Sequence, residues 1–151
     1  MNEEKNEYRK WWEDDPTSEG FYAVEAKTGR EFILRIQSGA DVVPTIQKFA
    51  KKHKVKVAKI HAAYMGAFEP SKFSMYIPVV EGEGVSKKVV DFKTAPTVIQ
   101  NMNQVLSMSG VIQPNPRGDD PVVKIHFLTG GTWDVPTLGG HLYPGSIAKG
   151  L

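Results

Sequence analysis

Two histidines near the carboxyl end of the chain have the residue types and spacing to bind a metal or an anion. The segment VVKIHFL (122–128) alternates apolar and polar residues, which is the pattern of a strand with one buried face. Lys124 and His126 then share the face that points away from the core. His141 follows two glycines in the segment GGHL, where another backbone can approach closely. If these segments are neighbouring strands, the two imidazoles converge.

A metal site at this pair needs more ligands than the pair supplies. Neutral imidazole binds zinc well, but stable zinc sites have three or four protein ligands. His61, Asp134 or a residue from another subunit would have to complete the set. The chain has no cysteine, which excludes disulfides, thiolate metal ligands and thiol nucleophiles. Hydrogen-bonded structural histidines are the simpler interpretation of the same residues.

A second cluster of candidate functional residues is basic. Six lysines between positions 48 and 59 have the charge for contacts with nucleic-acid phosphates: Lys48, Lys51, Lys52, Lys54, Lys56 and Lys59. No aromatic residues interleave with them for base stacking, and no recognition-helix motif accompanies them. The formal net charge is only +2, so composition alone does not indicate a nucleic-acid partner. A solvated helix end is the alternative interpretation of this stretch.

The sequence lacks the common catalytic motifs. Its serines are not in a GxSxG turn, and the glycine-rich segments LTGGTW and LGGHL lack the lysine and hydroxyl residue of a phosphate-binding loop. The spacing of the carboxylates does not place one beside a partner for acid–base catalysis. We therefore expect a protein without enzymatic activity.

The elements that position these residues are predicted to be mainly β-strands. Segments rich in strand-forming residues alternate with turns, and short turns favour antiparallel pairing. The first two, FYAVEA and EFILRI, are predicted to form a hairpin. The predicted extended segments are 21–26, 31–36, 56–68, 73–80, 88–92, 98–113 and 122–128.

One helix is predicted, over about residues 41–53. Asp41 is a preferred residue for capping the helix, and Pro44 is tolerated in a first turn. Apolar residues then recur at helical spacing, at Val43, Ile46 and Ala50. One helix with many strands predicts an α+β fold with a mainly antiparallel sheet.

The chain of 151 residues has the length of one domain. Residues 1–20 are polar apart from Trp11 and Trp12, and we expect them to form a polar N-terminal arm before a single domain over 21–151. No apolar run approaches the length of a membrane span, and the amino-terminal residues lack the apolar stretch of a signal peptide. We therefore expect a cytoplasmic protein without a membrane partner.

Several segments, in order, resemble the plants-and-prokaryotes conserved (PPC) domain family. They cover most of residues 31–149 and are EFILRIQSGADVVPTIQKFAKKHKV, AAYMGAF, QVLSMSGVIQ, PVVKIHF and GGHLYPGSIAKG. The closing GGHL, together with the histidine of the preceding strand, is the most diagnostic part. The resemblance implies a small α+β domain that assembles into a homotrimer. It also implies DNA binding, because the plant domain accompanies AT-hooks, although PNPRGDDP lacks the Arg-Gly-Arg core of such a hook.

Some prokaryotic members of this family contain a metal held by an HxH strand and by the histidine of GGHL. By that resemblance, His126 matches the second histidine of HxH and His141 matches the histidine of GGHL. Lys124 stands where the first histidine would be, which removes a ligand for a divalent metal such as zinc. Lys124 and His126 would suit an anion instead.

The sequence therefore supports two hypotheses of function. The first is a homotrimeric, non-enzymatic DNA-binding protein of the PPC type that uses the lysines between 48 and 59. The alternative is a protein that binds a small ligand, an anion or a metal in a cleft formed by Lys124, His126 and His141. This alternative includes an enzyme whose activity the sequence motifs do not identify.

Overall fold

The structure is a computed structural model that describes residue 27 and residues 29–63, 66–130 and 136–150. The chain divides into two compact units, Met1–Leu34 and Arg35–Leu151. The polar arm predicted over 1–20 and the strand predicted over 21–26 lie outside the described residues. The boundary expected between that arm and the domain stays a prediction.

The described part of Arg35–Leu151 contains one α-helix, one 3₁₀ turn and eight strands. In chain order these are α1 (Val42–Lys52), β1 (Ala58–Ala63), β2 (Ala67–Phe68), β3 (Ser71–Glu81), the 3₁₀ turn (Gly84–Ser86), β4 (Lys88–Ile99), β5 (Asn103–Gln113), β6 (Val122–Gly130), β7 (Leu138–Leu142) and β8 (Ala148–Lys149).

The helix predicted over 41–53 is confirmed as α1. Asp41 occupies the N-cap position, but its side chain makes no capping hydrogen bond. Its Oδ2 atom instead accepts a hydrogen bond of 2.6 Å from the backbone N–H of Gly145. Gly145 has a φ of 96°, a conformation that glycine adopts without strain. Asp41 therefore ties the start of α1 to the segment after β7.

All strand pairs of the sheet are antiparallel, and the predicted α+β class with a mainly antiparallel sheet is confirmed. The strand order is β4-β3-β7-β6-β5-β2-β8, and β1 also pairs with β5. β7 thus lies between β3 and β6, although 56 residues of chain separate the end of β3 from the start of β7. This placement brings His141 beside His126.

The core lies between α1 and one face of the sheet. Burial of apolar surface provides the main stabilisation of such a two-layer arrangement. The helix contributes Val42, Val43, Ile46 and Ala50. The sheet contributes Phe68, Phe73, Val105, Met108, Ile112, Val123, Ile125, Phe127 and Leu142. The other face of the sheet, which we call the open face, carries the exposed side chains of Lys124 and His126.

The hairpin of β3 and β4 extends well beyond the rest of the sheet. β7 pairs with β3 only at Phe73 and Ser74, so residues 75–95 form a two-stranded ribbon. Pro78 lies in this ribbon beside a register shift between Val79 and Val80, as its missing N–H predicts for an edge or bulge.

The strand predicted over 31–36 is wrong, because the structure assigns no strand to these residues. Phe32, Ile33 and Leu34 are exposed to solvent instead. Strand propensity is realised only where a neighbouring strand completes the hydrogen-bond ladder, and no such ladder includes this segment among the described residues. No helix of the described residues is long and apolar enough to cross a membrane.

Candidate functional site

The alternation predicted for β6 is confirmed. Val123, Ile125 and Phe127 are buried, whereas Lys124 and His126 are exposed on the open face. Successive side chains of a strand point to opposite faces of a sheet, so the core residues fix the orientation of the polar ones. Burial of Val123, Ile125 and Phe127 in the core therefore leaves Lys124 and His126 exposed to solvent.

The two histidines lie side by side. His126 on β6 and His141 on β7 are directly paired in register. Their ring centroids are 5.4 Å apart, and the rings are nearly perpendicular, at 82°. The two segments are therefore neighbouring strands, and the two imidazoles converge as predicted for that case.

Glycines bring β7 close to both of its neighbours. A Cβ atom at Gly139 would lie 2.5 Å from the carbonyl oxygen of Phe127 on β6. A Cβ atom at Gly140 would lie 2.6 Å from the carbonyl oxygen of Ser74 on β3. Side chains do not tolerate such distances to backbone atoms. The two glycines of GGHL therefore allow the strand that carries His141 to fit between β3 and β6.

Two further polar residues, Ser74 and Tyr143, join this site and were not singled out from the sequence. The Oγ atom of Ser74 donates a hydrogen bond of 2.9 Å to the hydroxyl oxygen of Tyr143. The ring of Tyr143 lies 5.3 Å from that of His141, centroid to centroid. Tyr143 lies two residues after His141, and this spacing was the only sequence signal for it. Ser74 could not be associated with the site without the pairing of β3 with β7.

Burial and nearby positive groups favour the neutral form of His141. Partial burial lowers the pKa of His141 first, and His126 and Lys124 lower it further. Removing a group from water disfavours its charged form, and like charges act in the same direction. Near neutral pH, the ring of His141 therefore has one nitrogen that donates a hydrogen bond and one that accepts.

Lowering the pH below about 6.5 is expected to destabilise the chain slightly. Because the pKa of His141 lies below 6.5 in the folded chain, the unfolded chain binds this proton more readily. The contribution of neutral His141 to the free energy of unfolding is complete above pH 6.5 and is lost as the pH falls through the lowered pKa of His141. The melting temperature between about pH 8 and about pH 5 should therefore fall less in His141→Gln than in the unsubstituted chain. An equal fall of the melting temperature with pH in the two proteins would contradict this effect.

The described residues do not form a metal centre by themselves. No group of three or more metal-ligating side chains occurs among them. His61 lies on β1, which is separated from β6 by β5, and Asp134 is outside the described residues. The cation of Lys124 stands on the same face as the two imidazoles, which disfavours a second cation there. The metal site at His126 and His141 stays a prediction that needs a ligand from elsewhere.

The lysine cluster predicted between 48 and 59 is exposed along its whole length. Lys48, Lys51 and Lys52 lie on the carboxyl-terminal half of α1, Lys54 and Lys56 follow it, and Lys59 lies on β1. Lys51 is also bound to Asp120, with 2.6 Å between Nζ and Oδ1. The hydrogen bond to Asp120 raises the pKa of Lys51. The other five lysines are the stronger candidates for contact with a polyanion.

Comparison with solved structures identifies the same fold in several proteins. A metal-containing protein from Archaeoglobus fulgidus is 22% identical, with a TM-score of 0.63 over 87% of this chain and 79% of that one. A plant- and prokaryote-conserved (PPC) protein from Pyrococcus horikoshii is 21% identical, with a TM-score of 0.59 over 79% and 72% of the two chains. A "putative DNA binding protein" from Bacteroides thetaiotaomicron is 19% identical, with a TM-score of 0.55 over 76% and 68%. The TM-scores show that these proteins share the fold of this chain.

A search of curated proteins found no match. A family model matches residues 23–151, which include every described residue of the chain. Its match includes the helix, all eight strands and the GGHL segment that carries His141. The chain therefore belongs to the Plants and Prokaryotes Conserved (PCC) domain family, as the order of its sequence segments predicted.

Proposed function

We propose that this chain is a non-enzymatic DNA-binding protein whose contacts are made by the lysines between positions 48 and 59. The observation that carries the proposal is the exposure of all six lysine side chains along one continuous stretch, from α1 to β1. Lysines contact phosphates as point charges, and this contact requires solvent-accessible ammonium groups. Two solved structures with the same fold are of proteins described as putative DNA-binding proteins, which supports the proposal.

We also propose that the chain acts as a homotrimer, which would present the lysine cluster three times. The ribbon of residues 75–95 supports self-association, because Met75, Ile77 and Val89 are exposed on it. A two-stranded ribbon is marginally stable in water, and exposed apolar surface of this kind is typical of protein contacts. Sedimentation equilibrium should give about 50 kDa, three times the chain mass of 16.8 kDa. A mass of one chain would contradict the trimer.

DNA binding through these lysines is expected to fall steeply with salt. Each phosphate contact contributes about 0.9 to the slope of the logarithm of the association constant against the logarithm of salt concentration. Lys52→Gln and Lys56→Gln should each reduce that slope by about 0.9 or more. The measurement is fluorescence anisotropy of a labelled duplex of about 20 base pairs over a salt series.

The matched control for these variants is Lys88→Gln, which removes an exposed lysine at the far end of the ribbon. It should leave the slope unchanged. A chain that does not bind the duplex even at low salt would contradict the proposed function. Equal effects of Lys52→Gln and Lys88→Gln would show that binding depends on net charge and not on this cluster.

A second candidate function is the binding of a small anion at Lys124, His126 and His141. The specific observation is the ring-to-ring contact of the two imidazoles on the same strand face as Lys124. An ammonium group beside imidazole N–H donors suits an oxyanion. Isothermal titration with inorganic phosphate, and separately with zinc, tests this candidate. Phosphate binding that His141→Ala abolishes would support the anion site. Zinc binding that His141→Ala abolishes would favour a metal site instead, and heat of dilution alone with phosphate would contradict the anion site.

A further inference from the structure

The lysine cluster and the histidine pair were identified separately, but the strand register joins them through Lys59. Lys59 on β1 is paired with Val111 on β5, and Val111 is paired with Lys124 on β6. Directly paired residues of antiparallel strands point to the same face of a sheet. Lys59 and Lys124 therefore both project from the open face, with one strand between them.

Burial on β1 agrees with this orientation. Ile60, the next residue, packs against the core cluster on the helix side, so Lys59 must face the other way. Lys59, Val111 and Lys124 are all exposed. The ammonium groups on this row are thus accessible from the same side as His126.

The open face continues from Lys124 to the histidines. A second row of paired residues crosses three strands as Ser109, His126 and His141. His126 lies two residues after Lys124 on β6, on the same face. The open face therefore presents two lysines and two imidazoles across four neighbouring strands, β1, β5, β6 and β7.

No acidic side chain interrupts this surface within those strands. The sequences of β1, β5, β6 and β7 contain no aspartate or glutamate. Hydroxyl and amide groups that donate hydrogen bonds occur on β5 instead, including Ser107, Ser109 and Gln104. The ribbon, by contrast, carries Glu81 and Asp91. The charged side chains of these strands are therefore all basic, although the open face also carries the exposed apolar side chains of Leu106, Val111 and Leu128.

The dimensions suit a polymer more than a single small ion. Three strand spacings separate β1 from β7, which is about 14 Å. This distance equals about four base-pair rises of DNA.

We infer that the open face, from Lys59 on β1 to His141 on β7, is a further part of the DNA-binding surface, with Lys59 and Lys124 as phosphate contacts. This inference rests on the proposed DNA-binding function and assigns its contact surface. Lys59 and Lys124 provide the charge, and imidazole N–H groups donate hydrogen bonds to phosphate oxygens. The partner is the phosphodiester backbone of DNA. Free inorganic phosphate is an oxyanion of the same chemistry, but it would occupy only one point of the surface.

Lys124→Gln tests the inference, because Lys124 lies outside the cluster of residues 48–59. Loss of one phosphate contact should reduce the salt slope by about 0.9 and weaken binding about eightfold at 0.1 M salt. Lys124→Arg should retain both the slope and the affinity. The measurement is the anisotropy of a labelled duplex of about 20 base pairs at several potassium chloride concentrations, with Lys93→Gln on the ribbon as the matched control.

The outcomes separate this inference from the proposed function. Reduced slope in Lys124→Gln, with no change in Lys93→Gln, supports the extended surface. If Lys52→Gln weakens binding but Lys124→Gln behaves like Lys93→Gln, DNA binding stands and the extended surface is wrong. If the unsubstituted chain binds no duplex, both are wrong. If inorganic phosphate binds in a Lys124-dependent manner while the duplex does not, the surface holds a small anion and the inference is overturned.

Discussion

Phe127→Ala is expected to lower the free energy of unfolding by about 3–5 kcal/mol. Phe127 is 5% exposed and lies on β6 in the middle of the sheet. Its ring packs edge to face against Phe73, at 5.2 Å between centroids, and against Phe68, at 5.6 Å. Truncation removes both contacts and leaves a cavity that the flanking strands cannot close without moving. Urea unfolding followed by circular dichroism, at one fixed protein concentration, measures the change.

Leu128→Ala is the matched control for this substitution. Leu128 is the next residue on β6, points to the opposite face and is 42% exposed. Its truncation should cost less than about 1 kcal/mol, because it leaves no buried cavity. Similar losses for the two variants would contradict the assignment of the core to the helix side of the sheet. Since domains are stable by only about 5–15 kcal/mol, the expected difference is readily measured.

The parts of the fold that local sequence determines were predictable. α1 has an N-cap residue, a proline in its first turn and apolar residues at helical spacing, and all three signals lie within one short segment. β6 alternates apolar and polar residues along its length, which fixed the faces of Lys124 and His126. In both elements, burial against the core follows the local pattern directly.

Pairings between distant segments were not predictable in the same way. The segment EFILRI has strong strand propensity, but residues 31–36 are not a strand, since propensity does not supply a partner. The bond between Ser74 and Tyr143 joins residues 69 apart in the chain. Only the position of β7 between β3 and β6 brings Ser74 to the histidines. The sequence therefore predicted the pair of His126 and His141, but it did not predict that Ser74 and Tyr143 lie beside them.

The relation between the two candidate surfaces is a consequence of register. From the sequence, the lysines between 48 and 59 and the residues near His126 are separate clusters. The bulge between Ile60 and Ala63 shifts the register of β1 on β5, and a shift of one residue would turn Lys59 to the other face. A period-two pattern predicts which residues share a face within one strand. It does not predict which faces of two strands coincide.

Gly140→Ala is expected to destabilise the chain by about 3 kcal/mol, at the upper end of the range for overpacking. The added Cβ would lie 2.6 Å from the carbonyl oxygen of Ser74 and 3.2 Å from the ring of Phe73. Neither contact involves the flexible end of a side chain, so β7 must move away from β3. His141 is the next residue and must move with it.

The displacement of His141 gives this variant a second readout besides stability. As β7 separates from β3, His141 becomes more solvated, and its lowered pKa should rise towards the ordinary value of 6.5. The titration of its imidazole by NMR measures this change. Gly29→Ala is the control, because a Cβ at Gly29 has no atom within 4 Å, and it should change neither quantity. If Gly140→Ala instead retained both the stability and the His141 titration of the unsubstituted chain, the close fit of β7 between its neighbours would be wrong. The pairing of the two histidines depends on that fit, and so does their place on the open face.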